Sequence, residues 1–382
     1  MKIVIAPDKF KGSLTGHEFC DATEEGLRMV LPNAEIIKLP LADGGDGTIQ
    51  VIKEYLKAKS VKLTISDPFF RPREASYLFS KATKTAFIEM AEASGLKLLK
   101  EDERNCMSAT SLGTGELIVD ALAKGAKELI LGIGGSATND GGMGMAHALG
   151  FRFLDSDDNI LQPIGSNLMY IKKIDASNVN PKLNNVIVKV SCDVTNPLYG
   201  KNGAAQVYAE QKGANKAQIE VLDQGLRNYA KVLFEQYSIN VQKIEGAGAA
   251  GGLGAGALIF LNGRLIRGID LIKDIANFDD AIKDADWIIT GEGKLDDQTI
   301  AGKTIAGVIK SANEKGIPVA ALCGTVALSE KAKKQLGLTY FTAVSKGITD
   351  MDIAIKYAYK NVMRAASEFA SLVLDNELQF LY

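Results

Sequence analysis

Met1-Lys2-Ile3-Val4-Ile5-Ala6-Pro7-Asp8-Lys9 opens this 382-residue chain with a short apolar run that stops at proline, an acid and a lysine. The handover recurs. Residues 36–41 run into Asp43-Gly44-Gly45-Asp46, 128–133 into Gly134-Gly135-Ser136, 186–191 into Cys192-Asp193, and 287–290 into Gly291-Glu292-Gly293. Runs of this length, rich in Ile, Leu and Val, read as buried strands of a largely parallel sheet. Ligands of open α/β sheets sit at the carboxyl ends of the strands. Acids and glycines gathered there predict a site for phosphates, a metal ion and a polar substrate.

Outward from these runs, residues 1–60 read strand, helix, strand, helix, and residues 285–382 resume the rhythm. Between them, 61–66, 74–80 and 85–90 are β runs too closely spaced for crossover helices, which predicts antiparallel pairing. The expected fold is α/β with two domains. A Rossmann/flavodoxin-like parallel-sheet domain uses 1–60 plus 285–382, and a second α/β domain with a mixed sheet is inserted at 61–284. A chain of this length exceeds what one hydrophobic core usually organises.

The composition narrows the partner. Apolar residues make up 46% and charged residues 24%, and 44 basic against 46 acidic side chains leave a net charge of −2. Nucleic-acid or anionic-membrane partners call for a basic excess or stripe, and none is visible. No apolar stretch reaches the ~18 residues of a membrane span. Four cysteines, at 20, 106, 192 and 323, lack zinc-site spacing and disulfide density. With no signal-peptide pattern before the first strand, the expected location is cytoplasmic and the expected partner a small molecule. Only two histidines, His17 and His147, are present, so a Ser–His–Asp triad or a multi-histidine metal site is disfavoured. Proton transfer falls to carboxylates or lysines.

The motifs refine the site. In 132–144 (GIGGSATNDGGMG) a strand enters a loop dense in small hydroxyls and amides, and a helix leaves it. That arrangement suits an anion, with Ser136, Thr138 and Asn139 as further donors and Asp140 as a helix cap. Asp43 and Asp46 sit three apart around glycines, suiting Mg²⁺ ligation, general-base work or capping of the next helix, but not an EF-hand loop. Asp8 can accept a hydroxyl proton, with Lys9 and Lys11 holding a carboxylate or phosphate. The glycine-rich 246–256 (GAGAAGGLGAG) contains a G-x-G-x-x-G. A dinucleotide fingerprint must open a helix, and Gly251, Gly252, Gly254 and Gly256 each cost ~1 kcal/mol in one. Two readings stay open: N–H groups cradling phosphate, or a tight crossing where only glycine fits. Gly302-Lys303-Thr304 looks like a P-loop tail, but Asp297 stands where the leading glycine belongs. The phrase is expected to begin a helix, with Thr304 and Ile305 in its first turn.

Taken in order, seven blocks resemble the glycerate kinase family of bacteria, the type-1 glycerate 2-kinases. They are 6–15 (APDKFKGSLT), 41–48 (LADGGDGT), 109–116 (ATSLGTGE), 132–144, 192–203 (CDVTNPLYGKNG), 246–256 and 290–303 (TGEGKLDDQTIAGK). The resemblance implies ATP-dependent, Mg²⁺-assisted phosphorylation of D-glycerate to 2-phosphoglycerate, at a site in the cleft between two α/β domains. It leaves oligomeric state open, a homodimer among the options. Roles then follow from chemistry. Asp8, Asp43 and Asp193 are the catalytic acids, and Lys9, Lys11, Asp46, Ser136 and Asn139 bind substrate. Gly134, Gly135, Ser136, Gly248, Gly251 and Gly252 hold the nucleotide phosphates, and Asp193 or Glu292 holds Mg²⁺. The competing readings are a 3-phosphoglycerate product, an NAD-linked oxidoreductase using 246–251, and a non-catalytic hydroxy-acid sensor.

Overall fold

A computed structural model describes the chain except residues 11, 43–47, 298–303, 348–349, 376–382 and the side chain of residue 334. The chain divides into two compact units, Met1–Tyr55 with Gly268–Tyr382, and Leu56–Arg267.

The first unit is built on five parallel strands: β1 (Lys2–Ile5), β2 (Glu35–Lys38), β11 (Trp287–Thr290), β13 (Val319–Cys323) and β15 (Tyr340–Ala343). Their spatial order is β15-β13-β11-β1-β2. Counted within this unit, that is the 2-1-3-4-5 order of flavodoxin-like sheets, whose switch point lies between the first and third strands. Here those strands are β1 and β11. Ile3, Ile5 and Ile289 bury one face against Phe19 and Leu27 of helix Gly16–Arg28 and Val362 and Phe369 of helix Ala358–Leu374. The first of these helices starts in a capping box, Thr15 with Glu18, which satisfies two otherwise orphaned N–H groups.

The second unit carries a six-stranded mixed sheet of β3 (Lys59–Ser66), β4 (Pro72–Ser80), β5 (Thr85–Glu89), β6 (Glu128–Gly132), β9 (Ile187–Ser191) and β10 (Arg264–Ile266), in the order β10-β9-β6-β5-β4-β3. β3, β4 and β5 pair antiparallel, as their close spacing requires, and β5, β6, β9 and β10 pair parallel. Helix Leu112–Ala123 makes the crossover from β5 to β6. Two short ladders complete the strands of the described residues, β7 (Arg152–Leu154) with β8 (Lys173–Asp175), and β12 (Lys294–Asp296) with β14 (Thr325–Ala327).

Both unit boundaries differ from the sequence expectation. Lys59 and Ser60 already pair with Phe79 and Leu78, so β3 takes them into the second unit. Helix Gly268–Ile275 belongs to the first, because its buried Ile269, Leu271 and Ile272 pack it with helices Thr48–Tyr55 and Thr304–Glu314. Just before the glycines, Val241–Lys243 form a 3₁₀ turn. The glycine segment does enter a helix, Ala249–Phe260, with left-handed backbone at Ala250, Gly251 and Gly252. Its glycines are tolerated because close packing, not propensity, decides this buried helix.

Candidate active site

At the switch point the backbone brings the first and last motifs together. Asp8 N donates to Gly291 O (2.9 Å) and Ala6 N to Ile289 O (2.7 Å), extending the β1–β11 ladder into both loops. Asp8 and Glu292 are thereby held at neighbouring strand ends, 7% and 9% exposed. A cavity of about 450 Å³ opens there. Asp8, Lys9, Glu292 and Lys294 line it on the charged side, with Phe10, Met351 and Ile355 among its apolar walls. Thr304 Oγ1 donates to Asp8 Oδ2 at 2.6 Å, and Lys9 N donates to Asp8 Oδ1 at 2.7 Å, so both carboxylate oxygens are oriented. The partial P-loop phrase thus places its threonine on Asp8.

These residues bear on the Mg²⁺ expectation. Among the described residues no group of three or more His, Cys, Asp or Glu side chains converges as a metal site. Mg²⁺ is commonly carried by one or two carboxylates together with substrate phosphates and waters. Glu292, a buried hard-oxygen donor in the same cavity as Asp8, fits that use. Asp193 follows β9 in the second unit and is exposed. Lys11, Asp43 and Asp46 lie outside the described residues.

In the second unit, β6 runs into the 134–142 loop and the loop into helix Met143–Ala148. Leu96 N donates to Gly135 O (2.9 Å) and Ala137 N to Ser94 O (2.8 Å), clamping the loop beside helix Ala91–Ser94. Gly134 and Gly135 are exposed, and their N–H groups meet no backbone acceptor among the described residues. Ser136, Thr138 and Asn139 are buried. Thr138 Oγ1 and both polar side-chain atoms of Asn139 have no protein partner among the described residues. Asp140 is fully buried and accepts from Ser111 N (2.8 Å), Ser111 Oγ (2.7 Å), Gly142 N (3.2 Å) and Gly144 N (3.1 Å). Burial raises its carboxyl above the usual range, and these four bonds work against that. Asp140 thus bonds N–H groups at the start of helix Met143–Ala148, whose N-cap position is Gly142.

The glycine-rich segment resolves toward the tight crossing. A Cβ on Gly251 (φ +67°) would stand 2.1 Å from Thr138 O, and one on Gly248 2.1 Å from Pro197 O. Gly248 N donates to Asn196 O and Gly252 N to Gly248 O. The expectation that Gly248, Gly251 and Gly252 cradle phosphate gains no support from these contacts. Two of their N–H groups are spent within the protein, and Gly251 carries the 138–141 backbone, with Gly141 N donating to Gly251 O at 3.0 Å. The dinucleotide context is absent too, since no strand precedes the segment and 250–252 are left-handed.

Neither histidine joins these groups. His17 contacts the Glu54 carboxylate on the surface. His147 sits half-buried on its short helix, its basicity lowered by burial and by Arg152.

Two residues were missed by motif reading. Lys212, 3% exposed, donates from Nζ to Ser136 Oγ and Thr138 O, both at 2.8 Å. No local pattern marks it. Glu89 ends β5 opposite Gly132 of β6, and burial raises its carboxyl against the pull of Lys97. It was findable, because Ala86-Phe87-Ile88-Glu89 repeats the handover of an apolar run to an acid.

A model of the glycerate kinase family matches residues 3–374. The chain belongs to the glycerate kinase family. It is 43% identical over 368 residues to a glycerate kinase of Halalkalibacterium halodurans, covering 96% of this chain and 97% of that one. It is 41% identical over 371 residues to the glycerate 2-kinase of Escherichia coli K12, covering 97% of each. A crystal structure of a protein assigned as glycerate kinase 2 from Salmonella typhimurium LT2 superposes with a TM-score of 0.84 at 38% identity, over 99% of this chain and 100% of that one. As a glycerate kinase family member the chain is an enzyme, a kinase acting on a hydroxyl group. Among the described residues no helix is long and apolar enough to cross a membrane.

Proposed function

We propose that this glycerate kinase transfers the γ-phosphoryl group of ATP to the 2-hydroxyl of D-glycerate, giving 2-phosphoglycerate and ADP. The name of the Escherichia coli relative, glycerate 2-kinase, supports that position on the substrate. The observation that carries the mechanism is the convergence of Asp8, Lys9 and Glu292 on one cavity at the β1–β11 switch point.

Phosphoryl transfer depends on positioning and charge neutralisation more than on covalent help. Lys9, with Lys11, holds the glycerate carboxylate by charge. Asp8, oriented at both oxygens, takes the hydroxyl proton as the new O–P bond forms and the bond to ADP breaks; Asp43 is the other candidate for that proton. The exposed N–H groups of Gly134 and Gly135, with Ser136, hold nucleotide phosphate oxygens, and Asn139 offers its unpartnered amide to the bound anions. Glu292, or Asp193, would hold Mg²⁺, which when bound neutralises phosphate charge.

Coupled ADP release with D-glycerate, compared for wild type, Asp8→Asn and Asp43→Asn, tests the acid assignments. Both variants keeping the wild-type kcat would sink them. Phosphorus NMR of the product tests the position, and a 3-phosphate signal would overturn it.

A further inference from the structure

Lysine is almost never fully buried without partners that demand it. Lys212 is such a case. It follows helix Ala204–Tyr208 in a 3₁₀ turn, and its backbone carbonyl accepts from Cys106 N at 3.1 Å, so the main chain is fixed. The side chain reaches Ser136 Oγ and the carbonyl of Thr138, on either side of Ala137. Gly251 packs against that same Thr138 carbonyl, which a Cβ there would meet at 2.1 Å. The cost of keeping an ammonium out of water is only partly offset by the pull of the buried Asp140 carboxylate.

We propose that Lys212 is a positioning residue for phosphate binding: its ammonium holds Ser136 and the Thr138 carbonyl in place and lends positive charge to the 134–139 segment. The proposal rests on the reading of that segment as the phosphate site. It explains why the segment keeps buried polar atoms at Thr138 and Asn139 with no protein partner.

The charge has a boundary in pH. Burial pushes the Lys212 ammonium down to about 8, against the opposing pull of Cys106 and Asp140. Cys106 is itself raised to about 11 by burial, and Tyr229, which donates to Gly141 O, is raised well above its ordinary value. Arg104 reaches the Gln211 carbonyl at 3.5 Å, and Glu210 is exposed next door. Lys212 therefore loses its proton before Cys106 and Tyr229 as pH climbs past 8. In the unfolded chain it titrates near the ordinary ~10.4, so between those values the unfolded state binds more protons and the Lys212 contribution to stability rises with pH. Phosphate affinity must fall over the same interval. A purely structural lysine would not move the two in opposite directions.

The test is ADP binding by calorimetry, with thermal denaturation in parallel, for wild type, Lys212→Met and Lys212→Arg from pH 7 to 9.5. Wild-type affinity is expected to fall about ten-fold, the scale of one charge-assisted hydrogen bond. Lys212→Met should bind about ten-fold more weakly at pH 7 and lose the pH dependence, and Lys212→Arg should restore part of the affinity without the step near pH 8. A folded Lys212→Met with wild-type affinity and pH profile overturns the proposal. Should Lys212→Met not fold, Lys212→Gln takes its place in the same comparison. Failure of wild type to bind ADP at any pH would overturn the phosphate reading itself and this proposal with it.

Discussion

Thr304 Oγ1 donates a 2.6 Å hydrogen bond to Asp8 Oδ2 across a separation of 296 residues. The bond joins the first turn of helix Thr304–Glu314 to the loop after β1, and both groups are buried. A buried carboxylate that loses a hydroxyl donor gives up ~1.5–3 kcal/mol, because water cannot replace the partner.

Thr304→Val should therefore lower kcat about ten-fold or more while Thr304→Ser retains most of it. The valine keeps the shape and removes only the donor. Steady-state kinetics with D-glycerate and ATP checks this, and equal kcat for valine and serine variants would dismiss the bond as incidental.

Glu292→Gln should raise the Mg²⁺ concentration needed for half-maximal rate, on the order of ten-fold, with little loss of folding stability. The amide preserves volume but contributes no charge to a hard cation. A Mg²⁺ titration of the initial rate is the measurement. An unchanged midpoint would move the metal to other ligands.

Two glycines in the second unit should respond in opposite ways to alanine. At Gly251 a Cβ would lie 2.1 Å from the Thr138 carbonyl in a left-handed backbone, so Gly251→Ala should destabilise by roughly 3 kcal/mol or more in urea unfolding. At Gly134 no atom lies within 4 Å of the built Cβ and the residue is exposed. Gly134→Ala should leave stability within ~0.5 kcal/mol of wild type yet raise the KM for ATP, because the methyl meets the ligand.

Glu89 sets a pH dependence of its own. Its carboxyl is raised in the folded state, so the native protein holds that proton more tightly than the unfolded chain does. Its contribution to stability is thus most favourable at low pH. It declines as pH climbs from the ordinary carboxylate range through the raised value, and the full cost is present above it. Glu89→Gln should then raise the thermal midpoint at pH 7 and flatten the slope of stability above the ordinary carboxylate range. A lower midpoint at pH 7 would mean that the ionised form is held by an attraction stronger than its burial cost.

Much of this fold could be read locally. Apolar runs such as Lys2–Ile5 and Trp287–Thr290 report their own burial, since a strand covered on both faces tolerates little else. The spacing of β3, β4 and β5 required antiparallel pairing for the same local reason. Residues 250–256 misled, because helix propensity counts each glycine as a cost, and the close approach to Thr138 and Gly141 makes glycine the residue that fits.

By itself the sequence determined the α/β class, the antiparallel pairing of β3, β4 and β5, and the ordered motifs of the family. All of these are carried by residues near one another in the chain. Only the tertiary structure decided that Thr304 orients Asp8, that Glu292 shares its cavity, that the 246–256 glycines pack on the 138–141 backbone, and that Lys212 lies buried against Ser136. Those facts depend on burial and on contacts across long separations. A side chain's desolvation and its hydrogen-bond partners exist only once distant segments close around it.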